Sequence, residues 1–132
     1  MTIDVYTWPT PNGHKVHIML HEAEIAHNII PIKIQEGDQF KPDFLKISSN
    51  NKMPAIVDCD GPDGKPISVF ESAACLIYLA NKTGKFMPTD ERKKYDVLQW
   101  LMPHVKKLIK SMVYKFWCVT LYRNVSHPVS QF

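Results

Sequence analysis

The sequence is poor in cysteine, and its N-terminus carries no export signal. Its 132 residues include three cysteines, Cys59, Cys75 and Cys118, with no Cys-x-x-Cys spacing. An odd number without that motif argues against a disulfide framework and favours reduced thiols, as in cytoplasmic proteins. No basic, apolar, small-residue leader is present at the N-terminus, so nothing marks export. We therefore expect a cytoplasmic protein that is long enough to form one core.

Acidic residues are absent from the last part of the chain. Residues 1–102 hold 11 basic and 13 acidic side chains, whereas residues 103–132 hold five basic ones and no acidic one. A basic amphipathic helix there would pack on the preceding helix, stay poorly ordered, or lie on an anionic membrane. We favour the first two alternatives and expect no membrane association. The apolar residues at helical spacing are Val105, Leu108, Ile109, Met112, Val113, Phe116 and Trp117.

Hydrophobic periodicity divides residues 3–83 into strands and helices. Alternation predicts a strand at 3–6, and apolar spacing predicts a helix from about 14 to 26. A second strand at 28–34, with Ile30, Ile32 and Ile34 on one face, completes a strand–helix–strand unit and favours a right-handed parallel crossover. The order βαβ and then ββα is that of the thioredoxin fold. The later elements are a short irregular helix at 40–48, strands at 55–58 and 67–70 joined by a turn-rich loop, and a helix at 72–83 closed by Gly84.

A further helix is predicted at residues 89–102. Its spacing turns Tyr95, Leu98, Leu101 and Met102 inward. Pro103 is expected to interrupt it, because proline removes a backbone donor and clashes with the preceding turn.

Two motifs together indicate a binding site for a small zwitterionic peptide. Pro54 opens a short apolar strand, where we expect a cis bond after Met53. Beside it, the backbone N–H and C=O of Met53 can receive an extended peptide as an added strand. Ser72 is a favoured N-cap for the helix that follows, and the helix N-terminus binds a carboxylate. Glu71 adds an acceptor for an ammonium group.

These motifs resemble the glutathione site of the glutathione transferases. The resemblance lies in Lys-Met-Pro-Ala-Ile-Val-Asp at residues 52–58 and Phe-Glu-Ser-Ala at 70–73. Pro-Thr-Pro-Asn-Gly-His-Lys at 9–15 is similar to the bacterial nu-class branch, which includes relatives of the yeast prion protein Ure2p. The resemblance covers residues 1 to about 102. It implies an α/β fold, with a thioredoxin-like glutathione-binding domain and a four-stranded mixed sheet at 1–85. Residues 89–132 would be one or two helices of a truncated all-α domain, divergent after Met102.

The resemblance also implies a role for each site residue. Asn12 and Thr10 would donate hydrogen bonds to the glutathione sulfur and lower its pKa by favouring the thiolate. Thioredoxins and glutaredoxins place reactive cysteines at this position, and this chain has none there, which excludes a protein-thiol mechanism at that position. The remaining contacts would join Gln39 and Lys52 to the glycine carboxylate, Met53 at Pro54 to the cysteinyl unit, and Glu71 and Ser72 to the γ-glutamyl amine and carboxylate.

Four of these residues also have a purely structural interpretation. Thr10 and Asn12 lie among prolines and suit a turn. Ser72 taken alone is a helix cap, and Lys52 taken alone is a solvated lysine. Their joint placement around Pro54 favours the functional interpretation.

Histidines on the first predicted helix suggest a metal site as an alternative. His14, His17 and His21 are close on one helix, but no cysteine or acid cluster is placed to complete a site. We interpret them as surface histidines and expect no metal. Cys75, within the helix 72–83, is interpreted as a core thiol.

We expect a glutathione transferase or a glutathione-dependent disulfide-bond reductase, and the nu-class resemblance favours the reductase. The expected partners are glutathione and a small-molecule electrophile or disulfide, with no nucleic acid. The alternative is a non-catalytic glutathione-binding remnant, or an interaction module, from a truncated or frameshifted gene. It arises because too few residues remain for the electrophile-binding domain. For the same reason we expect a monomer or a weak homodimer.

Overall fold

The computed structural model describes residues 2–107, with side chains as far as Met102. The predicted amphipathic tail falls largely on residues 108–132 and so lies outside the described residues. Short 3-10 turns at Ile34–Glu36, Asp38–Phe40 and Pro62–Gly64 separate some of the main elements. These elements are β1 (Ile3–Thr7), α1 (Pro11–Glu22), β2 (His27–Pro31), α2 (Pro42–Ile47), β3 (Ala55–Asp58), β4 (Ile67–Phe70), α3 (Ser72–Thr83) and α4 (Glu91–Lys107).

The strands form one mixed sheet in the order β2–β1–β3–β4. β1 runs parallel to β2 and antiparallel to β3, and β3 runs antiparallel to β4. α1 therefore connects parallel neighbours, while a short loop connects β3 to β4 as a hairpin. This topology confirms the expected four-stranded, thioredoxin-like α/β fold.

Apolar side chains cover both faces of the sheet. On one face, Ile3, Val5 and Ile56 are fully buried in a cluster that includes residues of α1 and α3. On the other face, Ala55 packs in a second cluster with Phe44 of α2. Because successive strand residues point to opposite faces, the two clusters pack against β1, β3 and β4 from both sides. The loops at the ends of these strands therefore start from a well-packed sheet.

α1 begins at Pro11, three residues earlier than predicted, and ends at Glu22 instead of residue 26. The Thr10 hydroxyl caps the helix by accepting a hydrogen bond from the backbone N–H of Gly13. Pro11 suits the first helical position, since its missing N–H would have no intrahelical partner there. Asn12 therefore lies in the first turn of a helix, not in a loop.

β2 is shorter than the predicted strand at 28–34. It ends at Pro31, which lies on an edge strand where a missing backbone donor is tolerated. Ile32 is buried as expected, but Ile34 belongs to a 3-10 turn and is 38% exposed.

α4 continues through Pro103 to Lys107, so the proline does not end the helix as predicted. Loss of one backbone donor is compatible with a helix that continues on either side. Leu101 is buried and Leu98 packs on the core, whereas Tyr95 and Met102 are exposed, contrary to prediction. The helix touches the core along a narrow stripe through the two leucines, and the other two side chains lie outside that stripe.

Some expectations stay predictions. These are the division into residues 1–85 and 89–132, the truncated or frameshifted gene, the monomer or weak homodimer, and the cytoplasmic location. In the described part of the chain, no helix combines the length and hydrophobicity that crossing a bilayer requires.

Candidate glutathione site

The strand register brings the segments that carry the predicted site residues to one end of the sheet. β1 ends at Thr7 beside Pro31, and antiparallel β3 begins at Ala55 beside Tyr6. β4 ends at Phe70, which pairs with Ala55. The segments that adjoin these strand ends therefore start from the same end of the sheet. They carry Thr10, Asn12, Gln39, Lys52, Met53, Pro54, Glu71 and Ser72.

Thr10 closes the turn between β1 and α1. Its Oγ1 accepts a hydrogen bond from the Gly13 N–H at 3.1 Å. A hydroxyl that accepts in this way still has its own proton to donate, so capping is compatible with a contact to sulfur. A Cβ on Gly13 would lie 2.6 Å from Thr7 Oγ1 and 2.7 Å from the Trp8 carbonyl oxygen. Glycine is therefore required for α1 to start so close to this loop.

Asn12 offers an amide donor at the start of α1. Its side chain is exposed, and its Oδ1 accepts a hydrogen bond from Lys15 Nζ at 2.9 Å. Because an ammonium group only donates, the group that faces Lys15 must be the amide oxygen. The Nδ2 group is then the donor left for a ligand, and donation to a thiolate favours its charged form.

Hydrogen bonds fix the loop that precedes β3. The fully buried Ser48 donates through Oγ to the Lys52 carbonyl oxygen at 2.7 Å and lies 2.9 Å from Asn50 Oδ1. The Lys52 N–H donates to the same Asn50 oxygen at 3.3 Å. The Met53–Pro54 bond is cis, as predicted. Among residues 2–107 no hydrogen bond uses the Met53 backbone, so it is available to an extended ligand.

Glu71, not the predicted Ser72, is the cap residue of α3. Its φ of 70° and ψ of 121° are non-helical, and its carbonyl oxygen accepts from the Cys75 N–H at 2.9 Å. Ser72 is the first helical residue and is buried. The chain turns sharply between β4 and α3, and the residue at that turn takes the cap position. A non-glycine residue in this conformation is strained by roughly 1–3 kcal/mol, as is often found at ligand sites.

The start of α3 combines groups that attract an anion and a cation. The first N–H groups of a helix have no intrahelical partner and favour a carboxylate. Glu71 Oε1 accepts a hydrogen bond from Asn50 Nδ2 at 2.7 Å, which leaves Oε2 as an acceptor for an ammonium group. The Asn50 amide thus connects Glu71 to the loop that carries Lys52 and Met53.

Gln39 and Lys52 differ in exposure. Lys52 is exposed, whereas Gln39 is half-buried and its Oε1 has no hydrogen-bond partner among the described residues. Since a carboxylate only accepts, Gln39 can bind one only through Nε2. The two side chains supply an amide donor and a positive charge, as the predicted contact to a glycine carboxylate requires.

The cysteines of the described residues supply no reactive sulfur at this end of the sheet. Cys75 lies in the first turn of α3, but it is fully buried and burial raises its pKa to about 12. The interpretation of Cys75 as a core thiol is confirmed. Cys59 follows the last residue of β3 and so lies at the opposite end of the sheet from Met53. Within residues 2–107, a reactive sulfur here has to come from a ligand.

The histidines of α1 are not gathered with other metal ligands. Among the described residues, no group of three or more His, Cys, Asp or Glu side chains is placed to hold a metal ion. Burial, with the neighbouring His27 and His14, lowers the pKa of His17. The His17 and His27 rings pack edge to face with centroids 6.4 Å apart, which is a packing contact.

Comparison with known families identifies the family to which this fold belongs. The family model described as "Glutathione S-transferase, N-terminal domain" matches residues 10–82, more than half of the chain. The chain belongs to the glutathione transferase family. The matched range includes every predicted site residue from Thr10 to Ser72.

Individual glutathione transferase relatives agree with this assignment. The disulfide-bond oxidoreductase YfcG of Escherichia coli is 52% identical over 100 residues, which cover 75% of this chain and 46% of YfcG. A glutathione transferase from Pseudomonas putida, solved with one glutathione disulfide per subunit, has a TM-score of 0.76 and 44% identity over 80% of this chain and 46% of that one. Ure2p in complex with glutathione has a TM-score of 0.71 and 27% identity, over 79% of this chain and 45% of the Ure2p chain.

These comparisons confirm the predicted family and its Ure2p-like relatives. The chain spans less than half the length of these three relatives.

Two residues that sequence reasoning missed form hydrogen bonds with the predicted site residues. Asn50 connects Glu71 to the loop at Lys52, and Lys15 binds the Asn12 side chain. The only sequence signal for Asn50 is its place in the Ser-Asn-Asn run before Lys52. The sequence signal for Lys15 is its position three residues after Asn12, a spacing at which side chains on a helix meet.

Proposed function

We propose that this chain binds glutathione at the end of the sheet where β1 and β4 end and β3 begins, and that it uses the bound thiolate to reduce disulfides. One observation carries the proposal. The donors Thr10 and Asn12, the unpaired backbone of Met53 and the strained cap Glu71 adjoin the same end of the sheet. No cysteine of residues 2–107 offers a reactive sulfur there, as shown above. Such a site suits a peptide that brings its own thiol.

The proposed binding mode follows the polarity of each group. The γ-glutamyl carboxylate meets the N-terminus of α3 at Ser72, and the ammonium meets Glu71. The cysteinyl unit pairs with the Met53 backbone beside Pro54. The glycine carboxylate meets Gln39 and Lys52. This order places the glutathione sulfur towards Asn12 and Thr10, which stabilise its thiolate.

The proposed reaction is a pair of thiol–disulfide exchanges. The thiolate of one glutathione attacks a sulfur of the substrate disulfide, forms a mixed disulfide and releases one substrate thiolate. A second glutathione thiolate attacks the glutathione sulfur of the mixed disulfide and releases the other substrate thiolate. The two glutathione thiols are oxidised to glutathione disulfide, and the substrate takes up the two electrons. The released thiolates take up the protons that the glutathione thiols lost.

Two relatives support disulfide chemistry over addition to an electrophile. YfcG is named a disulfide-bond oxidoreductase. The Pseudomonas putida protein holds glutathione disulfide, which is the oxidised product of the proposed reaction. Both likenesses extend over three-quarters or more of this chain.

Binding and turnover test the proposal separately. Calorimetry with glutathione and with glutathione disulfide measures binding to the 132-residue chain. Loss of glutathione thiol in the presence of a small dialkyl disulfide measures turnover, with a model electrophile assayed in parallel. We expect binding of both glutathione forms and reduction of the disulfide above the rate without protein.

Each other outcome has a defined meaning. Binding without turnover of either substrate would select the alternative of a non-catalytic glutathione-binding protein. Turnover of the electrophile alone would select the transferase activity. Absence of glutathione binding would refute the proposal.

A further inference from the structure

Lys15 is a buried cation in the helix that starts the proposed site. Its residue exposure is 5%, and burial lowers its pKa. A lysine is rarely this buried unless it has a partner. Its Nζ donates to Asn12 Oδ1 at 2.9 Å. Replacing an ammonium by an apolar side chain of similar length would remove the desolvation penalty, so packing alone does not explain a lysine here.

The contact between Lys15 and Asn12 determines which end of the Asn12 amide is offered to a ligand. With only donors on Lys15, the amide oxygen faces inward and the Nδ2 group is directed away from the ammonium. Asn12 is exposed, and without this contact its amide could rotate to present oxygen. An oxygen would repel a thiolate, whereas an N–H group stabilises it. Hydrogen bonding to an ammonium also polarises the amide and strengthens its N–H donors.

We propose that Lys15 is a positioning residue, which orients and polarises the Asn12 amide so that Nδ2 donates to the glutathione thiolate. This inference rests on the proposed function and adds a residue that would not itself touch glutathione. It requires that Lys15 act through Asn12. A purely structural lysine would instead affect folding while leaving the bound thiol unchanged.

The main test compares Lys15→Met, Asn12→Ala and the double variant in the 132-residue chain. Ultraviolet absorbance of the thiolate against pH gives the pKa of bound glutathione. In Lys15→Met we expect that pKa to rise, with about a tenfold loss of thiolate at a pH below it, because the Asn12 amide is no longer held and polarised as a donor, and a donor to the thiolate favours its charged form. In the double variant we expect no further rise over Asn12→Ala, since residues that act through one contact are not additive.

Lys46→Met is a matched control. Lys46 also donates to a side chain three residues earlier, to Asp43 Oδ1 at 2.9 Å, but it is exposed and lies in α2. This variant should leave the pKa of bound glutathione unchanged. Lys15→Gln keeps a neutral donor and should give an intermediate pKa, and it replaces Lys15→Met in every comparison if that variant does not fold.

A second measurement needs no ligand. The side-chain amide signal of Asn12 in a ¹⁵N spectrum of the free protein is assigned by its loss in Asn12→Ala. We expect this signal to shift in Lys15→Met and to stay in place in Lys46→Met. An unchanged signal would overturn the inference whether or not glutathione binds.

Failure of this inference differs from failure of the proposed function. If the unchanged chain binds glutathione and Lys15→Met leaves the thiol pKa where it was, the positioning role is wrong and the function stands. Additive effects in the double variant would likewise show that Lys15 does not act through Asn12. If the unchanged chain does not bind glutathione, the proposed function fails, and the role of Lys15 towards a thiolate fails with it.

Discussion

Removal of the Glu71 carboxylate should weaken glutathione binding by about tenfold. Glu71 Oε1 already accepts from Asn50 Nδ2 at 2.7 Å, so the ligand's ammonium is expected at Oε2. A hydrogen bond to a charged group contributes about 1.5–3 kcal/mol. Glu71 is exposed, which favours the lower figure because water screens the pair. About 1.4 kcal/mol corresponds to tenfold in Kd, and Glu71→Ala should show a loss of that size.

Two comparisons isolate the charge from the local structure. Glu71→Gln keeps an oxygen that can accept from Asn50 but lacks the negative charge, so it should lose nearly as much affinity as Glu71→Ala. A glutathione analogue without the amino group should bind the unchanged chain and both variants about equally. Calorimetry with the two ligands and three proteins gives the coupling energy between the Glu71 carboxylate and the ligand's ammonium group.

The result that would refute this reasoning is an equal loss for both ligands. Glu71→Ala would then act by releasing Asn50 and disturbing the loop at Lys52. Full affinity for glutathione in Glu71→Gln would also show that the charge is not what binds the ammonium.

Three further predictions concern stability and reactivity. Asp58 is buried, and although burial alone would raise its pKa, hydrogen bonds from Lys82, Tyr78 and a backbone N–H lower it below 3.8. Asp58→Ala should therefore lower the free energy of unfolding in urea by about 3 kcal/mol, because it removes the buried carboxylate that pairs with Lys82 and accepts from the Tyr78 hydroxyl. The stabilisation that Asp58 provides should be fully present above about pH 4 and be lost as pH falls through its lowered pKa. If Asp58→Ala and the unchanged chain lost the same free energy of unfolding on acidification, this explanation would be wrong. Gly13→Ala should lower the free energy of unfolding by about 1–3 kcal/mol, since its Cβ would lie within 2.7 Å of two oxygen atoms. An unchanged midpoint of urea unfolding would show that the loop moves to make room for the methyl group. Iodoacetamide followed by mass spectrometry should label the exposed Cys59 and leave Cys75 unmodified until the chain unfolds; early labelling of Cys75 would disprove its burial.

Elements bounded by strong local signals were predicted with correct ends. β3, β4 and α3 occupy the predicted residues. Pro54 precedes β3, and Gly84 at a φ of 66° ends α3 in the left-handed conformation. Such residues restrict the backbone by themselves, so their effect does not depend on the rest of the fold.

Elements whose ends depend on context were predicted less well. The run from Thr10 to Gly13 suits a turn or a helix start, and the capping hydrogen bond from Gly13 makes it a helix start. Exposure of Tyr95 on α4 follows from how narrowly that helix touches the core. Periodicity shows that a helix has an apolar stripe, but the neighbours decide how much of it is covered.

The sequence by itself determined the order of the elements and the motifs of the site. Local propensity, turn chemistry and spacing are written in short stretches, and the family resemblance rests on the same stretches. Only the tertiary structure decided how those motifs are supported. Asn50 and Glu71 are 21 residues apart, yet their side chains meet at 2.7 Å because the β3–β4 pairing brings the two segments together. The burial of Lys15 is likewise a property of the folded chain, because its place on α1 does not by itself specify which neighbours cover it.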